Sequence, residues 1–196
     1  MARGNDQVAA LSAAMEQMAI ILAGVREEHR RLPTPCAGWD VEALVGHVVA
    51  GPRNFALMGG GGTPDWDARQ EVPLQEAATR FRTGADELWE SWQQGDSGNG
   101  LAGFAAAEFA VHAWDLARAT GQSIQLDPAV AQAALAVMQE SLTEENRGDA
   151  FGAEVPVSQN EPAYARLAAF AGRDPHRYGV EEASSADSDE GDVPTP

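Results

Sequence analysis

Lysine is absent from this chain: all 13 of its basic residues are arginine. Schiff-base chemistry and lysine general-base catalysis are thereby excluded. Cysteine is nearly absent too; Cys36 stands alone, so no intrachain disulfide framework can form. β-Branched residues are sparse beside abundant alanine, which favours helix over sheet. No charged-then-apolar leader opens the sequence, and no apolar run approaches the roughly 20 residues of a membrane span. The expectation is a soluble cytoplasmic protein. From Glu181 onward there are six acids (Glu181, Glu182, Asp187, Asp189, Glu190 and Asp192) and no base. The formal charge is −17, and the body stays acidic without that tail. An acidic body argues against nucleic acid or an anionic membrane as partner.

What is present reads as an all-α chain. Its 196 residues, 44% of them hydrophobic, suffice for one domain with a proper core. Residues 1–180 are expected to form a helical-bundle domain and 181–196 an acidic disordered tail. Val8, Leu11, Met15, Met18, Leu22 and Val25 recur at helical spacing and predict a first helix from Asn5 to about His29. Pro33 and Pro35 end it, and an irregular connector follows. Asp40 caps a second helix to about Met58, with Pro52 inside it. Gly59 to Val72 reads as a flexible linker, since no Gly-Lys-Ser/Thr follows its four glycines. Further helices are predicted over Pro73–Trp92, Leu101–Thr120, Pro128–Leu142 and Pro162–Ala171. The pattern is a four-helix bundle with a long crossover after the second helix, plus smaller helices.

Chemistry concentrates in Glu108-Phe109-Ala110-Val111-His112. Residues four apart on a helix differ by about 40° in direction, so Glu108 and His112 leave one face. Leu101, Phe104, Ala105, Leu116 and Ala119 share that face, so the polar pair interrupts an apolar stripe. His47 interrupts the stripe of the second helix in the same way. A carboxylate buried without partners costs several kcal/mol or becomes protonated. Two imidazoles and a carboxylate projecting into a bundle core fit a divalent metal, with a coordination position left open. A solvated helix pair, or a hydrogen-bonded core Glu–His pair, fits the same spacing. His29 and His176 sit beside arginines and read as surface residues, as do Arg82 and Arg118. Asp115 is placed to bond Trp39, a connector or a ligand histidine. Cys36 has no base beside it in sequence and reads as a small structural cysteine. It lies eleven residues before His47, and Asp40, where the helix starts, is about 10 Å from His47 along the axis, so Cys36 is expected to be too far to ligate unless the connector folds back.

Thr34-Pro35-Cys36-Ala37-Gly38-Trp39-Asp40-Val41 and Leu44 to His47 resemble the opening motif of a metal-binding family. Glu108, His112, Trp114, Asp115, Leu116 and Ala117 match its second motif, Glu-x-x-x-His-x-Trp-Asp-Leu-Ala. Pro162, Arg166 to Phe170 and Gly172 to Pro175 resemble the closing segment of its single-domain branch. The family is typified by the metal-binding domain of mycothiol-dependent maleylpyruvate isomerase, within the DinB/YfiT-like metalloenzymes. The resemblance implies an up-down-down-up four-helix bundle with His47, Glu108 and His112 as metal ligands. It implies zinc as the metal and a low-molecular-weight thiol, mycothiol or bacillithiol, as co-substrate. The isomerase has an additional C-terminal domain that helps to form its active site, so isomerisation of maleylpyruvate is not expected to transfer.

Three functions follow as expectations for a small-molecule substrate. A metal-dependent thiol transferase or isomerase would show a roomy pocket beside the metal with an anion-binding arginine. A metal-dependent hydrolase would place a second acid or histidine at metal-bound water. A non-catalytic metal or small-molecule binding module would have a closed site with a fourth protein ligand. Exposed apolar helix faces leave a homodimer open.

Overall fold

The computed structural model describes residues 2–67, 69–93, 98–147 and 151–177. The acidic tail, with its expected disorder, lies outside these residues. The apolar stripes close into six α-helices: α1 (Ala2–Ala23), α2 (Val41–Gly59), α3 (Ala77–Gln93), α4 (Gly98–Ala119), α5 (Pro128–Ser141) and α6 (Ala163–Phe170). No strand forms among the described residues, and no helix there is long and apolar enough to cross a membrane. The all-α, DinB/YfiT-like bundle expected from the sequence is the fold.

Local chemistry sets the helix ends. Asp40 accepts a hydrogen bond from Ala43 N at 2.9 Å to start α2, and Asp127 does the same for Ala129 N at 2.9 Å before Pro128 opens α5. Gly121 ends α4 in the left-handed region (φ 64°), so that Gln122 N donates back to Ala117 O at 2.9 Å. Pro52 stays inside α2, where its ring faces Gly84 of α3; a β-carbon at Gly84 would lie 3.3 Å from it.

The centre of the molecule is α4, which touches α1, α2, α5 and α6. From Ala102 to Ala117 every residue is buried except Phe104 and Glu108. Alanine and glycine suit that position because they let neighbouring axes approach; a β-carbon on Gly103 would come within 2.9 Å of Val137. On the α2 side, Gly51 accepts the Phe109 ring, which would lie 2.9 Å from an added β-carbon. Phe109 links Phe55 and Phe81 in an edge-to-face chain, with centroids 5.8 and 5.2 Å away.

Three expectations need correction. The first helix stops at Ala23, because Gln122 Nε2 donates to Ile21 O at 3.0 Å and Gly24 N and Val25 N close short bonds to Ile21 O and Leu22 O. Glu27–His29 then forms a separate 3-10 turn. His29 is buried rather than on the surface, its Nδ1 accepting from Arg26 N at 3.1 Å. Phe104, read as part of the buried stripe of α4, is 47% exposed. A helix buried nearly all round has no single stripe, and its few wet positions cannot be read from period alone.

Candidate metal centre

Helices α2 and α4 bring His47, Glu108 and His112 together. Nε2 of His47 lies 2.7 Å from Glu108 Oε1, and Nε2 of His112 lies 3.3 Å from the same oxygen. The ligand-capable atoms of the three residues all fall within 4.8 Å of one another. One ion with bonds of about 2.0–2.2 Å can therefore bridge them after small side-chain shifts. The histidine side chains are 6% and 9% exposed and that of Glu108 is 20% exposed, so the cluster is reached from the Glu108 side.

Each imidazole is held by its other nitrogen. His47 Nδ1 meets Trp66 O at 3.1 Å, and a backbone carbonyl can only accept, so Nδ1 carries the proton. His112 Nδ1 likewise donates to Asp115 Oδ2 at 3.0 Å. In the neutral rings both Nε2 lone pairs then face Glu108 Oε1. Acceptors crowded in this way need a cation or protons between them, and a divalent ion supplies the charge that protons otherwise provide. Burial opposes the charge on His112, but the Glu108 charge and the hydrogen bonds to Asp115 and Glu108 prevail and raise its pKa to about 9. Burial likewise opposes ionisation of Glu108, and the two histidines overcome it, holding the carboxylate well below its usual range.

The loop after α2 takes part in this arrangement. Asn54 of α2, itself buried, clamps Asp65 through Nδ2 to the carbonyl (2.8 Å) and through Oδ1 from the amide (3.3 Å). Trp66 follows directly, and its carbonyl meets His47. Gln70 N then donates to Gly46 O at 3.0 Å, and a β-carbon on Gly46 would lie 2.8 Å from Gln70 O. What reads as a flexible linker is tied down at Asp65, Trp66 and Gln70. Trp39 forms the wall: it meets His47 edge-on at 4.6 Å and stacks towards His112 at 6.4 Å, with the Arg69 guanidinium 4.8 Å above its ring centroid. Beyond Trp39 lies an open groove of about 1300 Å³ lined in part by Arg30, Arg31 and Arg69. Arg82 and Arg118 are exposed, as expected, and so is His176.

Cys36 is nearer than its sequence distance implies. The connector folds back, with Thr34 N and Oγ1 both donating to Trp39 O and Val41 N donating to Leu32 O. Cys36 thus comes within 4.8 Å of ligand-capable atoms of His112 and Asp115, a second set that could hold a metal. Two facts disfavour that set. Asp115 is fully buried and already committed to Arg173, through Nε at 3.3 Å and Nη2 at 3.1 Å. Burial pushes the Cys36 thiol up to about 11, against the opposing pull of Arg173. At pH 8 such a thiol is ionised on the order of 0.1%, against about a quarter for an ordinary one of pKa 8.5. Alkylation of Cys36 in the folded, metal-free protein by iodoacetamide at pH 8 is expected to run about tenfold or more slower than that of free cysteine, and to accelerate as pH rises further. A rate matching free cysteine would show that the thiol is not held protonated.

Sequence reasoning missed Arg173 as part of this region and missed the Trp66 carbonyl altogether. The first stood within a recognised motif without a role, and a backbone carbonyl leaves no mark on a sequence.

Residues 11–117 match the family described as the mycothiol maleylpyruvate isomerase N-terminal domain. The match takes in Cys36, His47, Glu108, His112 and Asp115 and stops short of Arg173. Two proteins of Mycobacterium tuberculosis, from strains CDC 1551 / Oshkosh and H37Rv and both described as uncharacterized, are each 32% identical to the chain over 181 residues. Each alignment covers 86% of this chain and 98% of the relative. No solved structure matches significantly. With the bundle and its clustered histidines and carboxylates in place, the chain belongs to the mycothiol maleylpyruvate isomerase N-terminal domain family, of DinB/YfiT-like type.

Proposed function

We propose that His47, Glu108 and His112 bind one divalent metal, zinc by preference, and that the protein uses it as a thiol-dependent transferase or isomerase. The observation that carries the metal reading is the convergence of two Nε2 lone pairs on one carboxylate oxygen, with both Nδ1 positions already occupied. A divalent ion with a vacant position supplies Lewis acidity, which lowers the pKa of a coordinated thiol. The protein's own groups orient and shield. Trp66 O and Asp115 fix the two imidazoles, Trp39 keeps water from one side, and Glu108 faces the open side.

The thiol reading rests on family membership; the open groove on the far side of Trp39, which none of the three ligands lines, offers Arg69 for an anionic group of a bound molecule. Cys36, half-buried and with its thiol held protonated, is a poor source of the reacting sulfur. An exogenous low-molecular-weight thiol such as mycothiol fits better. In a conjugation assay with mycothiol and a chromogenic electrophile, Cys36→Ser is expected to retain metal and turnover, whereas His47→Ala loses both. Loss of turnover in Cys36→Ser with metal still bound would transfer the sulfur's role to Cys36.

A further inference from the structure

We infer that Arg173, contributed by the segment after α6, is a positioning residue for the metal-binding His112, acting through Asp115. The inference rests on the metal site proposed above and names a part of it that the family match does not cover.

The fold delivers this arginine deliberately inward. Helix α6 ends in a reversed turn: Gly172 sits in the left-handed region (φ 82°), Gly172 N donates to Ala169 O at 3.0 Å, and Arg173 N donates to Ala168 O at 2.9 Å. In such a cap the residue after the glycine ordinarily places an apolar side chain against the helix. Here it is an arginine, 5% exposed. A β-carbon on Gly172 would lie 2.5 Å from Gly152 Cα, so the turn is also pressed against a neighbouring stretch of backbone. Nη1 of Arg173 donates to Ala171 O at 2.7 Å, which fixes the plane of the guanidinium.

That plane addresses both oxygens of Asp115, Nε to Oδ1 and Nη2 to Oδ2. Oδ2 is also the atom that accepts from His112 Nδ1. The side chain of Asp115 is wholly buried, and a carboxylate there needs a fixed positive partner to stay ionised. A bidentate guanidinium supplies the charge and also removes the rotation that would swing Oδ2 away from His112. The consequence at the far side of the imidazole is a fixed direction for Nε2. Groups that hold a ligand histidine in this manner commonly change metal affinity by on the order of 10–100-fold when removed.

The test is zinc affinity, measured by competition with a chromophoric chelator, across a double-mutant cycle of Arg173→Gln and Asp115→Asn. Melting curves of each metal-free protein are recorded alongside. Arg173→Gln is expected to weaken zinc binding by about 10–100-fold, with Arg173→Lys intermediate because one ammonium cannot engage both oxygens. In the Asp115→Asn background the Arg173→Gln change is expected to weaken binding no further. Equal losses in both backgrounds would overturn the inference, since a merely structural arginine would not need Asp115 to be felt at the metal. Should Arg173→Gln alone fail to fold, Arg173→Lys and the Asp115→Asn pair, which bury no unpaired carboxylate, carry the same comparison. Tight binding by the wild type with unchanged affinity in Arg173→Gln overturns this inference alone. No binding by the wild type overturns the metal site and this inference with it.

Discussion

His112→Ala should abolish metal binding while leaving the bundle folded. Zinc held at 100 times its dissociation constant adds about 2.7 kcal/mol to the stability of a protein that binds it only when folded. For a chain of this size that raises the melting midpoint by about 5–10 °C. The wild-type protein should show this rise and His112→Ala should show none. The metal-free fold should survive the change, because the core is supplied by the apolar faces of the helices and Asp115 keeps its pairing with Arg173. Collapse of helical circular dichroism in metal-free wild-type protein would contradict this and make the ion a folding requirement, as in structural zinc sites. A midpoint rise undiminished in His112→Ala would remove that residue from the ligand set.

The second large effect concerns packing beside the site. Phe109 is fully buried between Phe55, Phe81 and Gly51, next to Glu108. Phe109→Ala should cost about 3–5 kcal/mol, since it removes transferred surface and leaves a cavity that α2 and α3 cannot close. In thermal unfolding that corresponds to a midpoint lower by about 6–20 °C. Phe104→Ala, on the same helix but half-exposed, should stay within about 0.5 kcal/mol of the parent. The reverse order of effects would mean that α4 is rotated relative to the arrangement described.

Much of this arrangement is legible in the sequence because its causes are local. The Asp40 and Asp127 caps, the glycine stop at Gly121 and the apolar spacing of α1 to α3 each announce a helix within a few residues. The cluster of His47, Glu108 and His112 is legible for a related reason: each interrupts an apolar run, and the motifs around them resemble a family's. His47 and Glu108, 61 residues apart, do meet as that reading requires.

What escapes the sequence is set by distance and by backbone. Arg173 lies 58 residues from Asp115, and nothing in its own neighbourhood points inward until the reversed turn after α6 is known. Trp66 contributes a carbonyl, which every residue has. Counting along α2 puts Cys36 far from the ligands, and the connector's return over Trp39 defeats that count. Phe104 illustrates a different failure. On a helix buried on nearly all sides, hydrophobic period no longer distinguishes the wet residue from the dry one.

The central claim is that one divalent ion sits among His47, Glu108 and His112, and X-ray absorption at the zinc edge of the stoichiometrically loaded protein tests it most directly. The account predicts one ion per chain with only nitrogen and oxygen neighbours at about 2.0–2.2 Å, unchanged in Cys36→Ser. A sulfur neighbour at about 2.3 Å would instead place the ion with Cys36, His112 and Asp115, and failure to take up zinc at all would leave the three residues as a hydrogen-bonded core cluster.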